Sequence, residues 1–487
     1  MNDVATKRAV LIISAISSFF VPFISASVNI ALPTIGREFQ IDAVMLSWIP
    51  ASYLLATAML LLPFGRIADI CGRKKIFFLG IIVYTVGSLF SALSISVSML
   101  ITCRVVQGIG CAMAFGNAMA ILTSVYPREE RGRAIGIVIA SVYAGLSLGP
   151  FLGGFLTQHL GWRSIFWINV PLGLIVVLLV IWWLKGEWAE ARGEQIDLPG
   201  SLLYALALFL VMYGLSRLPS GAGIVFVAAG GIGVLAFLFV ETRTDSPVLD
   251  VRIFWRNPVF AFSNLATLIQ FSSIYAVSFL LSLYLQYIKG FSAQDAGIIL
   301  ISQSVIIGIF SPLSGRLSDR IEPGVIASIG MAFTCLGLYL LSFIGNNTGL
   351  PYIVFNLLIL GLGVAFFSSP NSNAVMSSVD RRYLGVASGT LGTMRVLGSM
   401  LSMGVVMMIF SIIIGKARIM PELYPLFLRS MKISLMINGT LCFIGIFSSL
   451  TKVKFSSHSE TGHRTEDLVG DPDHYQGNGS NITGTRN

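Results

Sequence analysis

The sequence predicts an all-α integral membrane fold: fourteen spanning helices, built as two six-helix bundles with two further helices inserted between them. Three observations lead there. First, 55% of the 487 residues are hydrophobic and only 11% are charged, whereas soluble domains carry about a quarter of their residues as Asp, Glu, Lys and Arg. Second, apolar runs of about 20 residues, the length that crosses a hydrocarbon core, recur fourteen times. Third, the basic residues alternate between sides. With both termini placed in the cytoplasm, 22 of the 32 Lys and Arg fall in inside segments and 8 in outside loops, with Arg104 and Arg395 inside helices. That is the bias expected of cytoplasmic loops.

The predicted spans are 9–31, 46–64, 76–97, 99–124, 133–157, 164–184, 200–216, 222–240, 260–286, 296–314, 324–344, 350–372, 385–414 and 432–451. Ser25-Ala26-Ser27 in the first run resembles a signal cleavage site, but the run is too long for a signal core and equally apolar segments follow it. Separators carry Pro, Gly and charge, as at Pro127-Arg128-Glu129-Glu130-Arg131. The seventh and eighth spans are split only by Arg217-Leu218-Pro219-Ser220-Gly221.

Gly65-Arg66-Ile67-Ala68-Asp69 after the second span returns as Gly315-Arg316-Leu317-Ser318-Asp319 after the tenth, 250 residues later. If the seventh and eighth spans are an insertion, both copies follow the second helix of a six-helix half, the internal repeat expected of a rocker-type transporter. The domains are therefore 1–185, an N-terminal six-helix bundle; 186–258, a linker with two helices; 259–454, a C-terminal six-helix bundle; and 455–487, a polar, disordered cytoplasmic tail.

Composition also excludes several classes. The net charge of +9 builds no basic face along any helix, so nucleic acid is not an expected partner. Cys71, Cys103, Cys111, Cys335 and Cys442 are scattered and three of the four histidines lie in the tail, which leaves no disulfide framework or metal site. There is no nucleotide-binding loop of the G-x-x-x-x-G-K-[ST] kind and no soluble domain to hold one. No cluster of His, Asp or Glu at one depth suggests an enzyme, and no cofactor is expected.

Three motifs carry mechanism. In Gly65-x-x-x-Asp69-x-x-Gly72-Arg73-Lys74-Lys75 the glycines allow a tight turn, the basic cluster anchors it, and Asp69 can accept from Arg73 or a helix N-terminus. With Asp319 in the second copy, it can act as a latch between the halves. In Leu100-x-x-x-Arg104-x-x-Gln107-Gly108-x-Gly110 an arginine lies within a span, about 7.5 Å along the axis from its outer end. It either faces a polar cavity or snorkels to the interface. Arg395, in Arg395-x-x-Gly398, poses the same choice. In Gly145-x-x-x-Gly149-Pro150-x-x-Gly153-Gly154 small residues admit a neighbouring helix and the proline bends the backbone.

These motifs resemble signature motifs A, B and C of the major facilitator superfamily, the third being its antiporter signature. Asn29-x-Ala31-Leu32-Pro33 and Gly161-Trp162-Arg163-Ser164-Ile165-Phe166-x-x-Asn169-x-Pro171-x-Gly173 are similar to the fourteen-helix drug/proton antiporter family of the EmrB/QacA type. The resemblance covers about residues 8–451. It implies a major facilitator fold, a monomer in the cell membrane, a central cavity, alternating access, and export of small lipophilic or cationic molecules coupled to proton influx. It makes Asn29, Arg104, Gln107 and Arg395 candidates for the transport cavity or coupling.

One position departs from the family pattern. Five residues before Asn29, where the family motif begins with an acid, this chain has Ile24, and the predicted helix interiors hold no Asp or Glu. Coupling would then fall to Asp69 and Asp319 at the helix ends or to a cargo carrying its own proton. Two in-membrane arginines without in-membrane acids favour a neutral or anionic amphipathic cargo over a cation. Ser25, Asn29, Asn117, Asn264, Gln270, Tyr275, Gln303 and Asn371 are polar within helices and either line the cavity or join helices. The alternatives are a transporter of another solute without proton antiport, and a non-transporting receptor or structural protein.

Overall fold

The computed structural model describes the backbone of residues 3–184, 186–189, 191–244, 246–318, 320–379 and 384–466, with side chains over the same ranges apart from 3–5, 128–129, 384 and 451–466. Fourteen helices are long and apolar enough to cross a membrane, and no strand occurs among the described residues. In the N-terminal half they are α1 (Thr6–Phe39), α2 (Ala43–Cys71), α3 (Arg73–Ala92), α4 (Val97–Val125), α5 (Glu130–Leu160) and α6 (Arg163–Trp183). The inserted pair is α7 (Leu198–Arg217) and α8 (Gly221–Glu241). The C-terminal half holds α9 (Pro258–Ile288), α10 (Ala293–Leu317), α11 (Pro323–Leu341), α12 (Leu350–Ser377), α13 (Gly385–Ile413) and α14 (Pro421–Leu450).

Most helices are longer than hydropathy alone predicts, because their ends are polar. Asp42, Ser96, Asp197, Ser220, Asn257 and Ser292 each cap a helix by accepting the N–H of a residue three positions on, which satisfies donors the helix itself cannot. The largest difference is α14, which begins at Pro421 rather than near 432. Arg429 and Lys432 lie inside it, and Lys432 Nζ rests 5.8 Å from the centre of the Phe343 ring, so a charge read as loop is accommodated against an aromatic face. The helix backbone also runs on to Glu466, into the first part of the expected tail; residues 467–487 lie outside the described residues.

The repeat extends beyond the loop motif. In the N-terminal half a Cβ added to Gly80 of α3 would lie 2.9 Å from the carbonyl oxygen of Gly110 on α4. The corresponding helices meet in the other half, where a Cβ on Gly330 of α11 would lie 2.7 Å from the carbonyl oxygen of Gly363 on α12. Each half thus packs its third and fourth helices backbone to backbone through paired glycines. The inserted α7 lies between the halves: Tyr204 donates to the Ala58 carbonyl on α2 at 3.0 Å, and Ser411 of α13 donates to the Leu218 carbonyl that ends α7. Helix α8 is outermost, with Ile232 and Leu235 each 67% exposed, as a lipid-facing surface requires.

Candidate functional site: a cleft between the halves

The two halves meet along two seams, α5 against α10 and α2 against α13, with α1 and α9 touching between them. Motif C makes this possible. Gly145, Gly149 and Gly153 lie four residues apart on one face of α5, so a Cβ on Gly149 would fall 2.6 Å from Ala26 Cβ and one on Gly153 2.6 Å from Ser27 Cβ. The resulting close approach lets Ser27 donate to the Gly149 carbonyl at 2.8 Å. The next face of α5 crosses to the other half, with Gly154 packed on Ala293 and Gly297 of α10 packed on the Pro150 carbonyl. The bend motif is therefore an interface on two sides.

Polar contacts close the end of the bundle opposite the termini. Ser25 and Tyr275 share a hydrogen bond of 2.8 Å. Gln286 Nε2 donates to Ile30 O at 2.9 Å, the Tyr287 hydroxyl to Pro33 O at 3.3 Å, and Ala43 N to Ala417 O at 3.2 Å. His159 and Gln294 pair at 2.9 Å. Toward the termini the halves part. On α10, Gly297, Ser304 and Gly308 share a face; Gly297 touches Pro150, Ser304 reaches the Leu146 carbonyl at 3.5 Å, and a Cβ on Gly308 would meet nothing within 4 Å. Gly132 and Gly136 of α5, Gly65 of α2, and Gly385 and Gly389 of α13 likewise face open space. The arrangement is a cleft, shut at one end and open at the other.

Neither in-membrane arginine snorkels. Arg104 is 1% exposed. Its Nη1 donates to Gln107 Oε1 at 2.8 Å, its Nε to Ile49 O at 3.4 Å, and its guanidinium sits 4.3 Å from the centre of the Tyr53 ring. Gln107 passes the connection on by donating to Ser88 Oγ at 2.7 Å. The network joins α2, α3 and α4 and is buried within the N-terminal half rather than open to the cleft. Arg395 is held on the C-terminal half, donating from Nη2 to Ser372 Oγ at 2.9 Å with its guanidinium 5.7 Å from the centre of the Phe271 ring. Its Nε is buried without a partner. Among the described residues neither arginine has a carboxylate partner.

The other polar candidates divide. Ser25 and Tyr275 join the two halves. Asn117 and Asn264 bond the carbonyls of Met113 and Phe260 on their own helices at 2.6 and 2.9 Å. Gln270 donates to Thr334 Oγ1, and Asn371 to Thr267 Oγ1, each at 2.8 Å, so these two join helices. Gln303 is 9% exposed and Asn29 3%, and Asn29 Oδ1 and Asn264 Oδ1 are buried without donors.

At motif A, Asp69 accepts from Arg73 Nε at 2.7 Å, and Arg73 Nη1 donates to Ser124 Oγ at 3.0 Å. The segment after α6 wraps this turn. Arg73 N donates to Trp188 O at 2.8 Å and Ala191 N to Asp69 O at 3.0 Å; the Glu187 carboxylate accepts from Lys74 N and Lys75 N at 2.8 and 3.2 Å; and Arg66 pairs with Glu194. Gly72 occupies the turn, at φ +116°, whereas Gly65, also expected there, lies within α2, which runs on to Cys71. Asp319 lies outside the described residues.

The Major Facilitator Superfamily model matches residues 14–403. The chain belongs to that family. It is a major facilitator transporter, and relatives within the superfamily differ in cargo. The chain is 31% identical over 406 residues to the multidrug resistance protein Stp of Mycobacterium tuberculosis, covering 82% of this chain and 75% of Stp. It is 30% identical over 392 residues to the riboflavin transporter RibZ of Clostridioides difficile, covering 80% of this chain and 85% of RibZ. The crystal structure of a bacterial homologue of the human lysosomal transporter Spinster, inward-facing and unoccupied, has the same fold, with a TM-score of 0.63 at 17% identity over 92% of this chain and 98% of that one.

Besides Asp69, further acids stand at the ends of spans, beyond the shorter runs that hydropathy predicts. Glu38, near the end of α1, pairs with Arg163 at 2.7 Å and accepts from Trp162 Nε1 at 2.7 Å, which gives the Gly161-Trp162-Arg163 stretch of the facilitator its place. Glu241 ends α8 and is 1% exposed. The short spans predicted from hydropathy left both in loops. A basic partner within a turn of an interface was the signal for Glu38; Glu241 carried none.

Proposed function

We propose that this transporter exports small amphipathic molecules, neutral or anionic, by alternating access, as a fourteen-helix drug exporter with both termini in the cytoplasm. The observation that carries the reading is the cleft: the halves touch through motif C and the Ser25–Tyr275 contact and diverge at the end bearing the termini, where Gly136 and Gly308 face open space. With the termini inside, that opening receives cargo from the cytoplasm or inner leaflet. Arg395, which has an unused buried Nε and no carboxylate partner among the described residues, supports an uncharged or anionic group on the cargo. Motif A, braced by residues 187–194, serves as the latch that holds one state, Arg395 and Asn29 serve the cavity, and Arg104 with Gln107 serves coupling from within the N-terminal half. The similarity to Stp supports drug export; the similarity to RibZ favours, as a second reading, a single metabolite carried without proton antiport.

The test is uptake of a compound panel into inverted membrane vesicles with and without an imposed pH gradient. Accumulation of neutral and anionic amphipaths is expected, abolished by Arg395→Ala. Preferential accumulation of permanent cations overturns the cargo class. Uptake of one metabolite alone, indifferent to the gradient, selects the second reading.

A further inference from the structure

We infer that Asp197 and Glu241 hold one proton between them, which makes the foot of the inserted helix pair a proton-binding site outside the central cleft. Asp197 caps α7, its Oδ1 accepting from Gly200 N at 2.9 Å, while its Oδ2 is buried with no partner. Glu241 closes α8 and is 1% exposed; its Oε2 accepts from Leu249 N at 3.1 Å, while its Oε1 is buried with no partner. The two partnerless oxygens converge. A Cβ on Gly200 would stand 3.1 Å from Glu241 Oε1 and would collide with Asp197 Oδ2, so the oxygens are near neighbours across the bare Cα of a glycine.

No cation answers them among the described residues. A third acid, Asp250, stands on the same segment as Leu249, its Oδ1 accepting from Arg252 N at 3.1 Å. The arginines nearby are otherwise engaged: Arg252 Nη2 donates to Thr242 O at 3.1 Å, Arg243 lies 4.4 Å from the centre of the Phe239 ring, and Arg66 pairs with Glu194. Two carboxylate oxygens shut from water and facing each other repel when both groups are charged, and one proton between them removes that repulsion. If one keeps its proton it becomes a donor and the other a matched acceptor, directly or through one water. A single proton therefore satisfies both orphaned oxygens. The site joins the start of α7, the end of α8 and the segment at Leu249 that leads into α9, so its proton helps hold the inserted pair to that segment. The inference does not depend on the cargo or the direction of transport.

The test is infrared difference spectroscopy on the purified full chain at neutral pH, comparing wild type with Glu241→Gln and Asp197→Asn, alongside thermal unfolding across pH. A carbonyl band of a protonated carboxyl group is expected in wild type and missing from Glu241→Gln, with its frequency shifted in Asp197→Asn, which retains the cap on Gly200. A native state that holds a proton the unfolded chain releases loses stability as pH rises. The wild-type Tm should therefore fall on alkalinisation through the titration of the band, and the Tm of Glu241→Gln should not. Should Glu241→Gln fold poorly, Asp197→Asn carries the spectral comparison alone. Spectra identical between wild type and both variants overturn the inference, as does a wild-type Tm raised by added sodium or magnesium ions and indifferent to pH.

Discussion

A guanidinium shut away from water needs its donors occupied and its charge faced by something polarisable. Arg104 meets both needs without an acid, through Gln107, the Ile49 carbonyl and the Tyr53 ring. Removing the side chain strands the Gln107 oxygen and leaves a void among α2, α3 and α4. Arg104→Ala should lower stability by about 2–4 kcal/mol, read as a fall in the thermal unfolding temperature of the purified protein. Arg104→Lys keeps the charge but loses the planar face on Tyr53 and should fall between the two. If Arg104→Ala unfolds at the wild-type temperature, the network does not hold the half together. Gly72 shows a second constraint at this scale: at φ +116° only glycine is unstrained, and a Cβ there would meet the Glu187 carboxylate at about its Cδ, 2.5 Å away. The turn is open so that an acid from the linker can cap α3.

Helix α5 depends on a stripe of missing side chains. Gly145, Gly149 and Gly153 let α1 approach until Ser27 bonds the Gly149 carbonyl, and Gly153→Val would drive methyl groups into Ser27. An overpacked contact of this kind costs about 1–3 kcal/mol, so Gly153→Val should unfold at lower temperature and lose transport together. Wild-type stability with full transport would show that α1 and α5 can part. This stripe was legible in the sequence because small residues at helical spacing have one strong use in a membrane. The helix starts were legible too, through signals that hydropathy does not weigh: Asp42, Ser96, Asp197, Ser220, Asn257 and Ser292 stand just ahead of α2, α4, α7, α8, α9 and α10. The start of α14 was not, since Arg429 and Lys432 read as loop until the Phe343 ring is known to cover one of them. The partners of Arg104 and the meeting of Asp197 with Glu241 depend on which faces of distant helices meet, and no local spacing encodes that.

At the scale of the whole molecule, fourteen crossings form two halves and an inserted pair, and α7 touches both halves through Tyr204 and Leu218. A rocking motion must therefore carry α7 along or slide past it. The faces that would have to close are already marked by what they lack. Along α5, Pro150, Tyr143 and Gly136 recur every seventh residue and so form one stripe; Pro150 is packed on Gly297 of α10, and Gly136 faces open space. Along α10 the same progression runs from Gly297 through Ser304 to the unobstructed Gly308. In the cleft-open state a Cβ at Gly136 or Gly308 meets nothing within 4 Å, so Gly136→Leu and Gly308→Leu should change stability by no more than about 0.5 kcal/mol. If transport requires these faces to meet in the opposite state, the same variants should block closure and reduce vesicle uptake at least tenfold, and the double variant should do no more than either alone. Uptake at the wild-type rate in both single variants would mean that the cleft does not close along α5 and α10, and that alternating access in this protein runs through another pair of helices.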